Sequence, residues 1–427
     1  MYILSQIFIA LVVLVLILKL YLSYRQINSI NKHINDVPHN FAKKISLQDH
    51  QKAGKYNIAK LKLSIVENIL ESVMMILFTV CGGIQLINNS IHLTQSPISQ
   101  GVIVIAIFAS ISTLINLPFG LYSTFVIEQR FGFNRTTFGV FLGDLVKGIA
   151  LSIVIIIPLL YLILWFMGVI GSWWWFWTWG VLVVFNLTVV AIYPTFIAPL
   201  FNKFTPLTND ILKMKINALL IKCGFISNGI FIMDGSKRSS HGNAYFTGIG
   251  NTKRIVFFDT LIKQLNNDEI EAVLAHELGH FKKKHILKQM VISFLLTLAM
   301  LFVLSILKDQ AIFYNALGVT NITDYNALLL FSILISVVSF PFAPLSSYFS
   351  RKNEFEADDF AKIYSNKKDL ISGLVKMYKD NASTLTPDPL YVIFYYSHPP
   401  ASVRIANLES DRDLTLEQIL KLSQKRW

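Results

Sequence analysis

The sequence predicts a mainly α-helical, multi-pass membrane protein of about seven transmembrane helices carrying a smaller soluble part. Three observations lead there. Hydrophobic residues make up 53% of the 427, and charged residues only 15%, where a soluble domain carries about 25%. Mean hydropathy is +0.52, so a large share of the surface must face lipid. The apolar residues also gather in windows of about 20, the length of helix that crosses a bilayer.

In order, these windows are 3–22, 69–91, 102–122, 145–168, 173–198, 291–307 and 327–349. The first runs into Lys19, Tyr21 and Tyr24 without a small-residue cleavage site, so it reads as a retained anchor. The segments between windows alternate in charge. Residues 23–62 carry eight Lys/Arg, 199–288 carry thirteen, and the tail from 351 carries twelve. The links at 92–101 and 169–172 carry none, and 308–326 carries only Lys308. By the positive-inside rule the N-terminus lies outside and the C-terminus in the cytosol. The net charge, 38 − 26 = +12, is then mostly topological and suits anionic lipid. No basic stripe interleaved with aromatics stands apart from a membrane flank, so no nucleic-acid partner is expected. Cys81 and Cys223 stand far apart without a CxxC pattern, which excludes a disulfide framework or a cysteine zinc site.

The tryptophans at 173, 174, 175, 177 and 179 read as an interfacial aromatic belt at the outer end of a helix. Glu67 and Glu71, spaced i,i+4, either line a polar cavity or cap the start of the second span. The expected division is 1–198 for five spans with their loops, 199–288 for a soluble segment, 289–349 for two spans, and 350–427 for a cytosolic C-terminal segment. Within the soluble part, 254–258 reads as a short β-strand and 244–247 as a second. Asn267, Asp268 and Glu269 then start a helix, their acidic side chains suiting its dipole.

That helix carries His276-Glu277-Leu278-Gly279-His280. Residues i and i+4 share a helix face, so both imidazoles can bind one zinc ion, and Glu277 can serve as general base toward a zinc-bound water. The bland alternative is two surface histidines on a helix. A catalytic zinc takes three protein ligands. HExxHxxGxxH would supply a third histidine, but Lys283 replaces its glycine and His285 comes one position early. The other source is a carboxylate from a later helix. After the last span come Glu354, Glu356, Asp358 and Asp359. Glu354 with Asp358 at i,i+4 fits one ligand plus one carboxylate that fixes a histidine tautomer; Glu356 with Asp359 at i,i+3 fits the spacing too.

At these residues the sequence resembles the integral-membrane zinc CAAX prenyl endopeptidase family. The resemblance is carried by HELGH at 276–280, EFEAD at 354–358 behind a membrane span, and YSHPPASVR at 396–404. It extends to FGFN at 131–134, PLFNKF at 199–204, DGSKRSSHGNAYF at 234–246 and PDP at 387–389. It implies a gluzincin-like core, a zinc helix plus a small sheet, facing a chamber enclosed by the seven helices. It implies one zinc held by His276, His280 and Glu354, with Glu277 as base and Asp358 behind a ligand. His398 and Arg404 match the family's active-site His and Arg and suit donors to an oxyanion. Asn243 matches the Asn of an edge strand on which a peptide substrate adds. Read alone, Arg404 could instead anchor the tail by pairing with Glu409 or Asp411.

Two departures stand out. Gly242 occupies a position where the pattern has Ser, and the 308–326 link is short, without the larger insertion of eukaryotic members. A bacterial cell membrane is therefore expected, with the endoplasmic reticulum as the eukaryotic alternative. Bacteria generally lack the farnesylation that creates CAAX substrates, so the chemistry transfers more firmly than the substrate. The partners expected are a peptide or protein substrate, with or without a prenyl group, and membrane lipid; the chain is expected to be a monomer. Two other readings compete: a heat-shock-type membrane metalloprotease with the same zinc core, and a non-catalytic transporter or structural bundle. A site-2-type protease fits less well, because this HExxH begins in Asn266–Glu269 and ends in Lys282–Lys284 rather than inside a span.

Overall fold

The structure, a computed structural model, describes residues 3–91, 96–247 and 254–410. Part of the 92–101 link, and the tail with Asp411, lie outside the described residues. Among these, six helical stretches are long and apolar enough to cross a membrane: Ile3–His33, Pro97–Phe131, Phe138–Val169, Gly171–Phe201, His285–Leu307 and Asp324–Tyr364. A bent pair, Leu47–Phe78 with Gly83–Ser90 at 53°, makes a seventh. The seven expected windows correspond to these six stretches and the bent pair, several of them longer than the apolar windows.

The helices used below are α1 (Ile3–His33), α2 (Leu47–Phe78), α3 (Gly83–Ser90), α4 (Pro97–Tyr122), α5 (Phe138–Val169) and α6 (Trp174–Ile192). The second span departs most from expectation. Its helix starts at Leu47 with Ser46 as N-cap, because Ser46 accepts a hydrogen bond from the Asp49 N–H and satisfies one of the orphan donors there. It breaks after Phe78, where Gly82 takes φ 82° before α3. Glu67 and Glu71 therefore lie deep inside α2, which rules out a capping role. Each borders a cavity, Glu67 beside Gln26, Ser64 and Tyr396 and Glu71 beside Ser112 and Asn116, and Lys19 stands 4.0 Å from Glu71.

The tryptophan cluster divides. Trp173 and Trp177 are exposed as a belt requires, but Trp174 is fully buried. Trp179 donates to the Phe294 carbonyl at 2.8 Å, tying α6 to the sixth span. Only 6–28% of the most apolar window in each of the six single spans is buried in protein. These helices contact lipid or interior space more than one another.

The soluble part is a four-stranded sheet packed on helices. β1 (Phe204–Pro206), β2 (Ile230–Met233), β3 (Ala244–Thr247) and β4 (Arg254–Phe258) lie in the order β1-β2-β4-β3. β2 runs parallel to β4, the other pairs are antiparallel, and β3 forms one edge. Helix α7 (Asp210–Cys223) and α8 (Asn267–Lys282) bury Leu212, Ile216, Ile270, Leu274 and Leu278 in one core with Ile255 and Phe257 of β4. Helix α9 (His285–Leu307) is the sixth span. The seventh is α10 (Asp324–Ser339), a short turn at Phe340–Phe342, then α11 (Ala343–Tyr364). Pro341 and Pro344 lack the N–H that an unbroken helix would need. Residue 350 falls inside α11, and the far end of that helix, with Phe360 and Ala361, packs into the peptidase core. Helices α12 (Lys367–Asp380), α13 (Pro389–Tyr395) and α14 (Ala401–Glu409) close the chain as described.

Candidate active site

Helix α8 is set by its own first turn. Asn266 accepts hydrogen bonds from the Asp268 and Glu269 N–H groups, and the Glu269 carboxylate in turn accepts from the Asn266 N–H, forming a capping box. Glu269 is 2% exposed and also accepts from Ser372 and Lys376 at 2.7 Å, which locks α8 to α12. Burial pushes its carboxyl up, but Lys376, the Asn266 amide and Ser372 outweigh that and hold it below the ordinary range.

One face of α8 presents His276 and His280 to α11. Among the described residues, His276, His280 and Glu354 form the group that could hold a metal ion, their ligand atoms within 4.8 Å of one another. The two Nε2 atoms are 3.2 Å apart, and Glu354 lies 3.4 Å from the first and 3.2 Å from the second. Glu354 Oε2 is buried without a hydrogen-bond partner. Two imidazole lone pairs and a buried carboxylate oxygen aimed at one point fit a cation, and N,N,O is a donor set that zinc accepts.

The spacing left the carboxylate open between Glu354 and Glu356. Glu354 faces the histidines, while Glu356 turns to His285, Oε2 at 3.1 Å from its Nε2. Asp358 is fully buried with Oδ1 2.8 Å from His276 Nδ1. Arg404 closes this corner. Its Nε and Nη2 donate to the two Asp358 oxygens at 2.9 and 2.6 Å, and Nη1 stands 3.5 Å from Glu354 Oε2. Its side chain is 6% exposed, so the tail-anchor reading through Glu409 fails.

A cleft of about 820 Å³ opens onto this group, lined by Glu277, His398, Asn243, Tyr378, Lys60 and Arg404 among others. His398 Nε2 lies 3.3 Å from Glu354 Oε1, and Ser397 Oγ is 2.9 Å from its Nδ1. Glu277 is half-buried at the cleft wall. Asn243 just precedes the edge strand β3; its carbonyl accepts from the Phe258 N–H at 2.9 Å. The glycine before it is shaped by packing: a Cβ on Gly242 would collide with the Gln264 side-chain oxygen, so Ser would displace that side chain. An adjoining cavity of about 300 Å³ shares Asn57, Lys60 and Tyr396 and runs to Glu67.

Every site residue expected from sequence therefore borders the same cleft or ligand group. Sequence reasoning missed three neighbours. Tyr378 donates to the Pro399 carbonyl at 3.4 Å, beside the His398 loop. Gly279 abuts α11, and His285 backs His280. The last two stand inside or next to the HExxH motif, where only a rule about what lies behind a ligand would have drawn notice.

Comparison with known proteins gives the same picture. Residues 26–203 match the family described as the CAAX prenyl protease N-terminal, five membrane helices, and 206–412 match peptidase family M48. CAAX prenyl protease 1 of Saccharomyces cerevisiae is 34% identical over 420 residues, covering 91% of each chain. The CAAX prenyl protease 1 homolog of Homo sapiens is 33% identical, covering 74% of this chain and 75% of its own. The crystal structure of S. mikatae Ste24p superposes with a TM-score of 0.89 at 32% identity, covering 96% of this chain and all of that one.

Proposed function

The chain belongs to the CAAX prenyl protease 1 family of membrane metalloendopeptidases, and on that premise we propose that it is a zinc enzyme cleaving near the C-terminus of prenylated CAAX-type substrates. The observation that carries the proposal is the convergence of His276, His280 and Glu354 beside a cleft that His276 and Glu277 line. A chaotic overlap of two surface histidines would not bring a buried carboxylate between them.

His276, His280 and Glu354 would hold the ion, which supplies Lewis-acid polarisation of the scissile carbonyl and a water of lowered pKa. Glu277 takes the proton of the attacking water and passes it to the leaving amine. His398 Nε2 and Arg404 Nη1 would serve as donors to the oxyanion. Asp358, itself clamped by Arg404, holds the His276 ring through Nδ1. The substrate adds as a strand beside β3 at Asn243, where backbone pairing gives affinity without demanding side chains.

The basic segments support an N-terminus outside and a peptidase part in the cytosol. The short 308–326 link supports a bacterial cell membrane, and a monomer with one zinc per chain completes the reading. The test is incubation of detergent-purified protein with farnesylated and unmodified CAAX peptides, cleavage sites read by mass spectrometry. Cleavage of the farnesylated peptide supports the proposal. Equal cleavage of unrelated unmodified peptides would point to a quality-control protease. No cleavage with no bound metal would favour the non-catalytic bundle.

A further inference from the structure

The two ligand histidines are backed differently. His276 Nδ1 meets a carboxylate directly, Asp358 at 2.8 Å. His280 does not. Its Nδ1 lies 3.1 Å from Nδ1 of His285, and the far nitrogen of His285, Nε2, lies 3.1 Å from Glu356 Oε2. His285 is 4% exposed, so no water layer competes for its ring.

The proton positions in this chain follow from the metal side. His280 Nε2 faces His276 Nε2 and Glu354, so it presents a lone pair and the ring proton sits on Nδ1. That Nδ1–H donates to His285 Nδ1, which must then be an acceptor. His285 consequently carries its proton on Nε2 and donates it to the Glu356 carboxylate. One direction of donation satisfies all four atoms, and reversing it would put a proton where the metal binds.

The backbone is bent to make this contact. Lys284, the second of the two residues between α8 and α9, holds φ 58° and ψ 33°, the left-handed region that a side chain other than Gly, Asn or Asp seldom adopts. With Lys283 capping α8 and Lys284 capping α9, the chain turns at once and delivers His285 at the first position of α9 against the last turn of α8. A lysine held in that region is what strain kept for a positioned site looks like.

We propose that His285 and Glu356 are positioning residues for the metal centre, a histidine–carboxylate relay that fixes the ring orientation and tautomer of His280. It rests on the reading that His276, His280 and Glu354 hold zinc. Partners behind a ligand histidine typically change metal affinity or activity by about 10–100-fold when removed. Glu356 acts only through His285, so its loss costs less, and nothing further once His285 is gone.

The experiment compares full-length, zinc-loaded protein in detergent across His285→Ala, His285→Gln, Glu356→Ala and His285→Ala/Glu356→Ala, with Glu354→Ala as control. Zinc release to a chromogenic chelator is timed, and the visible spectrum of the cobalt-substituted protein is recorded. The expected result is release about 10–100-fold faster for His285→Ala, a smaller acceleration for Glu356→Ala, and no added effect in the double variant. The cobalt bands should shift in His285→Ala. His285→Gln, whose side-chain oxygen can accept from His280 Nδ1–H, should recover most of the loss. Wild-type release and spectrum in His285→Ala would overturn the relay, as would additive effects of the two substitutions. If His285→Ala does not fold, the half-exposed Glu356 decides: wild-type zinc release in Glu356→Ala then overturns it. Zinc retained in Glu354→Ala would instead overturn the ligand assignment.

Discussion

Gly279 and Ala357 meet so closely that a Cβ on the glycine would stand 2.9 Å from the alanine Cα and 3.1 Å from the Phe360 Cβ. The obstacle is backbone, which cannot rotate aside. Gly279→Ala should therefore push α11 off α8 and move Glu354, one turn before Ala357, away from the histidines. Overpacking of this kind costs about 1–3 kcal/mol. The variant should melt lower and release zinc faster than wild type. Unchanged zinc retention would show that α11 accommodates the extra carbon.

Metal and base separate in a second set of variants. Glu354→Ala should empty the site, because only two ligands remain. Glu277→Gln should keep zinc bound and abolish peptide cleavage, since the amide cannot take a proton. Zinc content measured on the preparations used for kinetics checks both. Activity above a few per cent in Glu277→Gln would remove it as the base.

Much of this site was legible because HExxH is local: i,i+4 on a helix fixes two ligands whatever surrounds them. The spans were legible because lipid leaves so few alternatives for the backbone. The choice between Glu354 and Glu356 was not. Two residues on a helix differ by about 200° around its axis, and the rotation of α11 is set by the Gly279–Ala357 contact, which no spacing rule contains. The break after Phe78 hides for the same reason, since Gly318 at φ 74° packs directly on the Thr79 carbonyl. Strands β1 and β2 are too short for a period to show. Spacing offers His285 only as a ligand one position early; its place between His280 and Glu356 depends on the left-handed turn at Lys284, which no spacing rule contains.

The capping residue Glu269 predicts a pH signature. Its carboxyl lies below the ordinary range in the folded protein, so its stabilisation is present above the unfolded value of about 4.3 and is lost as pH falls through the folded value. Glu269→Gln should be less stable than wild type at pH 7, by roughly 1–3 kcal/mol, and the gap should narrow on acidification below the unfolded value. Paired unfolding curves across that range check it. A gap independent of pH would mean that shape, not charge, carries the contribution.

Orientation is tested in a Cys81→Ser background, since Cys81 is exposed and Cys223 is buried. Ser96→Cys should react with an impermeant thiol reagent applied outside intact cells, and Lys43→Cys should react only after lysis. The opposite pattern would invert the charge-based topology.

Arg404 poses the sharpest question, because the proposed mechanism gives it two tasks. Nε and Nη2 are committed to Asp358, which positions His276; Nη1, beside Glu354, is the atom left to meet an oxyanion. Removing the side chain also leaves Asp358 buried with one partner fewer, a loss of about 3–5 kcal/mol where a buried charge is stranded. Arg404→Ala should thus melt lower and hold zinc less tightly, so its low activity alone proves nothing about the oxyanion. Arg404→Lys is the informative variant. An ammonium keeps a positive charge near Asp358 but lacks the planar fork, and it cannot serve the carboxylate and the substrate together. With zinc saturated, kcat should fall about 10²–10³-fold while KM changes little, because the lost contact strengthens only as charge develops. A phosphinate transition-state mimic should lose affinity by the same factor as kcat/KM, whereas a ground-state peptide competitor should not. If Arg404→Lys with full zinc keeps kcat within twofold of wild type, Nη1 makes no contact with the transition state and Arg404 serves only to hold Asp358.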